Sequence, residues 1–254
     1  MSHSTELHQG RRFVVRREWR NGAARIKKSA NAPASAEVVE RLRHEHAVLQ
    51  ALHAPGIGRV SALEEGADGI ALVLDDAGPA DLGARVARGP LPVSEFLDLA
   101  IAMTRALGAV HERGFLHGDV CPENFVLDPE GGRVTLVDFE LATEVEEGAA
   151  RSPAEGLLDA TLAYVAPERT GRMRVPVDGR ADLYSLGATF YTMLTGAPPF
   201  DAPDPSGLVH AQVAKVPVPP ADRDDAIPRL LSDLVLKLLA KMPELRYQTA
   251  RAVV

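Results

Sequence analysis

Apolar residues between positions 35 and 53 fall at Val38, Leu42, Leu49 and Leu52, in steps of four, seven and three that place them on one face of a helix. Ser35 stands just ahead of this run as a candidate N-cap. Glu45 falls on the same face, midway between Leu42 and Leu49. A carboxylate on a buried face is costly unless it is paired, so this position calls for a cationic partner; the bland alternative is a wet Glu45 at the rim of the stripe. Upstream, Phe13-Val14-Val15 and the hairpin signal Asn21-Gly22 predict short strands over residues 1–30. Ile70 to Leu74 reads as another strand, and Asp75-Asp76-Ala77-Gly78-Pro79 breaks the pattern as a hinge. A long helical periodicity runs from about Ser94 to Arg113 (Phe96, Leu99, Ala100, Met103, Leu107, Val110) and is closed by Gly114. Phe125-Val126-Leu127 and Val134-Thr135-Leu136-Val137 read as strands around a turn at Asp128-Pro129-Glu130-Gly131-Gly132, and beyond residue 180 the pattern is mainly helical. The predicted class is α+β: a small β-rich part over about 1–76 and a larger helical part over about 77–254.

Composition narrows this only a little. A chain of 254 residues, 46% hydrophobic, has enough apolar material for a sizeable core. The single cysteine, Cys121, excludes a disulfide within the chain and fits a reducing, cytoplasmic setting. No apolar run approaches the ~18–20 residues of a membrane span, and Met1 to Glu6 lacks the order of a secretion signal. A net charge of −7 argues against a nucleic-acid partner for the surface as a whole. Residues 11–28 are nevertheless strongly basic, as either the solvent face of a small sheet or a docking face for an acidic partner.

Two segments set polar residues among apolar strands: His117-Gly118-Asp119-Val120-Cys121-Pro122-Glu123-Asn124, and Val137-Asp138-Phe139-Glu140. Asp119, Asn124 and Asp138 offer hard oxygens on loops, a donor type that suits Mg²⁺ sharing its shell with phosphate. An Asp free of metal can accept a proton from an attacking hydroxyl. Any one of them alone would more often be a turn or cap residue.

Taken in order, these segments resemble the eukaryotic-like serine/threonine protein kinases of bacteria, whose His-Arg-Asp and Asn, Asp-Phe-Gly and Ala-Pro-Glu follow one another. Here the positions read His117-Gly118-Asp119 with Asn124, Asp138-Phe139-Glu140, and Ala166-Pro167-Glu168. Thr161 to Glu168 looks like the family's substrate-facing segment, Asp182-Leu183-Tyr184-Ser185-Leu186-Gly187 like the start of its central helix, and Gly196 to Phe200 like the segment after that helix. Arg246 stands where the family places the arginine that pairs with the Ala-Pro-Glu glutamate, here Glu168. The stretch Thr161 to Phe200 looks closer still to kinase domains that open long signalling proteins with ATPase and histidine-kinase modules, so further C-terminal modules are expected as partners.

The resemblance implies a bilobal fold that binds ATP and Mg²⁺ and phosphorylates a protein substrate on Ser or Thr. Asp119 would be the catalytic base, Asn124 and Asp138 the metal ligands, and Glu45 the partner of the lysine on the ATP phosphates. Two lysines compete for that role. Lys27 matches the end of the family's Val-Ala-Ile-Lys and is the first choice, but strand alternation would then turn Arg25 toward adenine. Lys28 instead would set Ile26 on adenine. Gly10 and Val14 would belong to the nucleotide loop, Leu74, Asp75 and Ala77 to the gatekeeper and hinge, and Val126 to the floor of the adenine pocket.

Several positions depart from the family pattern. The nucleotide loop Gln9-Gly10-Arg11-Arg12-Phe13-Val14 keeps one glycine, with Arg11 or Arg12 as possible substitutes for its charge. Cys121 replaces a lysine that touches the γ-phosphate; it reads as a tolerated small residue or, less simply, as a reactive thiol. Glu140 replaces the metal-loop glycine, and Gly118 the arginine that reads loop phosphorylation. Phosphorylation at Thr143, Ser152 or Thr161 is therefore not expected to be the on-switch. These changes motivate a pseudokinase as one alternative. The His-Gly-Asp loop motivates a second, a small-molecule kinase of the aminoglycoside or choline type.

Overall fold

The computed structural model describes residues 3–20, 22–66, 69–128, 132–145 and 161–254; Asn21, residues 129–131 and Ser152 lie outside them. β1 (His3–Gln9), β2 (Phe13–Arg20), β3 (Ala23–Ala30), β4 (Val60–Gly66) and β5 (Gly69–Asp75) form one antiparallel sheet in the order β1-β2-β3-β5-β4. α1 (Ala36–Ala51) starts where the sequence places it: the Ser35 hydroxyl accepts from the Val38 N–H at 3.3 Å. Its buried face is Val38, Leu42, Glu45, Val48 and Leu49, so Glu45 lies inside the stripe and not at a wet rim.

Strand register decides which side chains reach the interior. Directly opposed residues of an antiparallel pair share a face. Val15 lies opposite Lys28, Arg17 opposite Ile26, Lys28 opposite Leu72 and Ile26 opposite Leu74. Phe13, Val15, Ile26, Lys28, Leu72 and Leu74 thus share the inner face, and Val14 and Lys27 turn to the other. On that outer face Arg16 meets Glu6, Arg25 meets Asp75 and Lys27 meets Glu64. The basic run therefore divides: Arg16, Arg25 and Lys27 are ion-paired on the outer face, while Arg12, Arg17 and Lys28 pair with Glu140, Asp76 and Glu45.

Below the sheet the chain is mainly helical. β6 (Ala80–Asp81) pairs with β8 (Phe125–Leu127) and β8 with β9 (Val134–Leu136), while β7 (Phe115–Leu116) pairs with β10 (Thr143–Glu144). The helices are α2 (Leu82–Val86), α3 (Val93–His111), α4 (Gly179–Thr195), α5 (Pro205–Ala214), α6 (Pro220–Arg223) and α7 (Arg229–Leu238). α4 is buried on every side from Ala181 to Leu194 and forms the axis of this half. Gly187 lets α7 close on it, because a Cβ there would stand 2.6 Å from the Leu238 Cβ. Among the described residues, no helix is long and apolar enough to cross a membrane.

The connection between the two parts follows β5. The Arg17 Nε lies 2.6 Å from Asp76 Oδ2, and Arg17 also donates to the Gly78 carbonyl. Gly78 passes so close to β8 that a Cβ would stand 1.9 Å from the Leu127 carbonyl oxygen, and only glycine fits.

Candidate active site

Lys28 is the cation that the helical position of Glu45 demands. Its Nζ lies 2.8 Å from Glu45 Oε2 and 2.9 Å from Asp138 Oδ1, at the seam between the two parts. Lys27, the first choice on motif grounds, is instead 2.6 Å from Glu64 on β4. A strand alternates faces at every residue, so a one-residue difference exchanges the interior for the surface. The same correction applies one strand over: Val14 faces outward with Lys27, and Val15 is the β2 side chain on the Lys28 face. Burial raises Glu45 to about 7 even against the opposing pull of Lys28; the surrounding carboxylates in turn hold Lys28 firmly protonated. The other Glu45 oxygen accepts from the Phe139 N–H at 3.2 Å, tying α1 to the Asp138-Phe139-Glu140 segment.

Asp138 is the one described non-glycine residue with positive φ, at 62°. Such a conformation costs of order 1–3 kcal/mol and persists only where the surroundings impose it. Here the Lys28 ammonium and the Glu140 N–H both bind Oδ1, and Phe139 is fully buried with its ring edge on His117 at 4.7 Å. Lys28 holds the Asp138 carboxyl below its ordinary value despite enclosure.

The loop carrying Asp119 hangs from Asp182. The Asp182 carboxylate accepts the backbone N–H groups of His117 (2.8 Å) and Gly118 (2.9 Å) and lies 2.9 Å from His111 Nε2. Burial opposes its ionisation, but the His111 contact and these N–H groups hold it at about 2. His117 Nδ1 accepts from the Asp119 N–H, which makes Nε2 the donor to the Val137 carbonyl at 3.0 Å; burial keeps this imidazole neutral. His117 thus staples the two polar segments together.

Asn124 Nδ2 donates to the Asp119 carbonyl at 2.7 Å and to Asp119 Oδ2 at 3.2 Å. Enclosure and the nearby Asp138 charge raise Asp119 to about 7, against hydrogen bonds from Asn124 and Thr161. That value suits a proton acceptor working near neutrality. Farther down, Arg246 and Glu168 form a fully buried bidentate pair at 2.6 and 2.8 Å, as the motif order predicts.

Of the remaining sequence candidates, Leu74 shares the inner face with Ile26, Asp75 turns its side chain to Arg25, and Ala77 lies in the connection after β5. Val126 lies on β8 opposite Asp81. Gly10 sits in the β1–β2 turn, where Asn31 donates to the Gly10 and Arg11 carbonyls. Cys121 is buried and its thiol is raised well above the ordinary value by enclosure, which argues against a reactive thiolate. Gly118 has φ +80°, and a Cβ there would stand 2.7 Å from the Leu141 carbonyl oxygen, so the backbone accounts for the glycine. Arg169 donates to the Gly118 carbonyl, and its charge is felt at Asp119. Arg41, on α1, reaches Glu140 at 3.0 Å. The sequence singles out neither arginine: both contacts are long-range and carry no motif.

The sequence that builds this site is similar to known proteins. The model of the protein kinase domain matches residues 9–254. The chain belongs to the protein kinase family. This kinase domain is 35% identical over 162 residues to a "Serine/threonine-protein kinase PknB" of Mycobacterium leprae, covering 64% of the chain and 25% of that protein. It is 33% identical over 225 residues to "Serine/threonine-protein kinase pkn2" of Myxococcus xanthus, covering 85% of the chain and 26% of the relative. A "Probable serine/threonine-protein kinase" of Clostridium perfringens is 32% identical over 167 residues. The kinase domain spans about a quarter of the length of these curated relatives.

The kinase domain's donor set fits a nucleotide-bound Mg²⁺. Among the described residues, no group of three or more His, Cys, Asp or Glu could hold a metal by itself. Mg²⁺ characteristically takes one or two protein oxygens and completes its shell with phosphate and water, and Asp138 with Asn124 offers that number.

Proposed function

We propose that the chain transfers the γ-phosphoryl group of ATP to a serine or threonine of a protein. The observation that carries this reading is Lys28 bridging Glu45 on α1 and Asp138 on the metal loop, with Asp119 and Asn124 hydrogen-bonded on the adjacent loop. Lys28 would bind the α- and β-phosphates, and Asn124 and Asp138 would hold Mg²⁺, which neutralises charge on the phosphates. Asp119 would orient the acceptor hydroxyl and take its proton as the oxygen–phosphorus bond forms. Val15, Ile26, Leu74, Ala77 and Val126 would enclose adenine, with residues 1–76 as the upper lobe and 77–254 as the lower.

A protein acceptor is favoured over a small one by the segment from Thr161 to Glu168. Thr161 hydrogen-bonds Asp119, and Glu168 anchors the far end to Arg246. Cys121 supplies no charge to the γ-phosphate, and Arg169 is the cation placed beside the Asp119 loop. The reading puts the domain in the cytoplasm, where ATP and Mg²⁺ are supplied, working beside further modules of a longer chain. The test is incorporation of labelled γ-phosphate from Mg²⁺-ATP into a generic basic protein and into the chain itself. Incorporation stable to alkali but not acid would indicate neither Ser nor Thr and would overturn the acceptor assignment.

A further inference from the structure

Glu140 replaces the glycine after Asp138-Phe139, and its side chain is put to use. Oε1 lies 2.8 Å from Arg12 Nη1 and 3.0 Å from Arg41 Nη1, and Oε2 lies 3.7 Å from Lys28 Nζ. These three cations come from three separate parts: the β1–β2 turn, α1 and β3. The side chain of Glu140 is 13% exposed, and those of Arg41 and Arg12 are 21% and 25%. Ion pairs at this depth are screened less than surface pairs. Arg41 also pairs with Glu37 one turn back on α1 at 3.0 Å, so Lys28, Arg12 and Arg41 face Glu45, Asp138, Glu140 and the more exposed Glu37. Glu140 is not among the positive-φ residues, so a side chain is carried there without backbone strain.

We propose that Glu140 is a positioning residue that, through Arg12 and Arg41, holds the β1–β2 turn and α1 against the metal-loop segment and so keeps the Lys28–Glu45 pair assembled. Glu45 already ties α1 to Phe139 N–H from inside the core. Glu140 ties the same helix to the same segment from the rim, two residues along the chain from Asp138. A glycine at 140 would leave α1 with the Glu45 contacts and the 2.6 Å contact of His44 Nε2 with the Ala142 carbonyl. The position of Arg12 explains how the turn is placed with a single glycine: its guanidinium is drawn down toward Lys28 by a carboxylate. Because Gly118 offers no cation to a phosphorylated loop, this latch also supplies a mode of assembly that needs no phosphate.

The consequence for rate rests on the phosphoryl-transfer reading; the consequence for geometry does not. The test therefore has two arms, run on the intact chain and on Glu140→Gln, Arg41→Ala, Arg41→Lys and the Glu140→Gln/Arg41→Ala double variant. The first arm is amide hydrogen exchange without nucleotide. Exchange over residues 36–51 and at Phe139 is expected to quicken by about tenfold in each charge-removing variant, with α4 unchanged, and the double variant is expected to be no worse than the poorer single one. Arg41→Lys, which keeps a cation, should retain most of the protection. The second arm is steady-state transfer, where kcat is expected to fall about tenfold in Glu140→Gln while the KM for ATP moves by less than about threefold. Exchange over α1 within about twofold of the native chain in both single variants, or strictly additive effects in the double one, would overturn the proposal. A native chain that transfers no phosphate would overturn the functional reading instead, and the exchange arm would still decide this one.

Discussion

Lys28 and Glu45 meet at 2.8 Å, with 7% and 1% of their side-chain surfaces exposed, and the pair joins the sheet to the helix packed on it. A helix turns a face every three to four residues and a strand every two, so this contact fixes the phase of both elements at once. It selects Lys28 over Lys27, and the selection can be tested. Lys28→Met is expected to lower kcat/KM by about 10²–10³, and Lys27→Met, which breaks only a half-exposed pair with Glu64, by less than about threefold. Equal losses in the two variants would show that the strand register is wrong.

Glu168 and Arg246 are joined across the lower half by two short hydrogen bonds and are both buried. Arg246 also donates to the Ala240, Arg180 and Lys241 carbonyls. Removing one member of such a pair leaves a buried charge unmatched and costs about 3–5 kcal/mol. Arg246→Ala and Glu168→Ala should each lower the melting temperature by about 6–20 °C, with the double variant less destabilised than the sum. Calorimetry of the three variants measures this directly.

The pH dependence follows from Asp119. Its carboxyl is raised to about 7, so a proton occupies it below that pH and the carboxylate is available above it. A base must be deprotonated to act, so kcat/KM should rise with pH through about 7 and level off. An ordinary Asp would place the same limb near 4. A rate profile flat from pH 5 to 8, about the span that separates these cases, would remove Asp119 from the role of base.

Control by loop phosphorylation is not expected. Gly118 carries no side chain, and Arg169 already occupies the Gly118 carbonyl. Thr143→Ala and Ser152→Ala, singly and together, should keep phosphate transfer within about threefold of the native rate. A collapse of activity in the double variant, measured alongside intact-mass spectra of the native chain, would show that a phosphate on this loop is required.

Much of this arrangement can be read in the sequence wherever a local pattern fixes it. Ser35 starts α1, the spacing of Leu42, Glu45 and Leu49 places a carboxylate in the core, and motif order pairs Glu168 with Arg246. Phase within the first three strands could not be read in the same way. β1 carries a register irregularity between Glu6 and His8, and the β1–β2 turn lacks the glycines that would anchor an alignment. Lys27 and Lys28, like Val14 and Val15, then differ only by the one-residue step that exchanges faces. Arg41 and Arg169 escaped for another reason. Their partners lie 99 and 51 residues away, and an arginine on a helix or a turn carries no signal of what the fold will bring to it.

The most direct measurement is transfer of labelled γ-phosphate from Mg²⁺-ATP, by the native chain, Asp119→Ala and Asp138→Ala, each confirmed as folded by its melting temperature. Transfer by the native chain is expected, with a loss of about 10³ or more in both variants, while Asp119→Ala still binds ATP. A folded native chain that binds ATP and transfers nothing, or transfer that survives in both variants, would contradict the assignment of these two carboxylates.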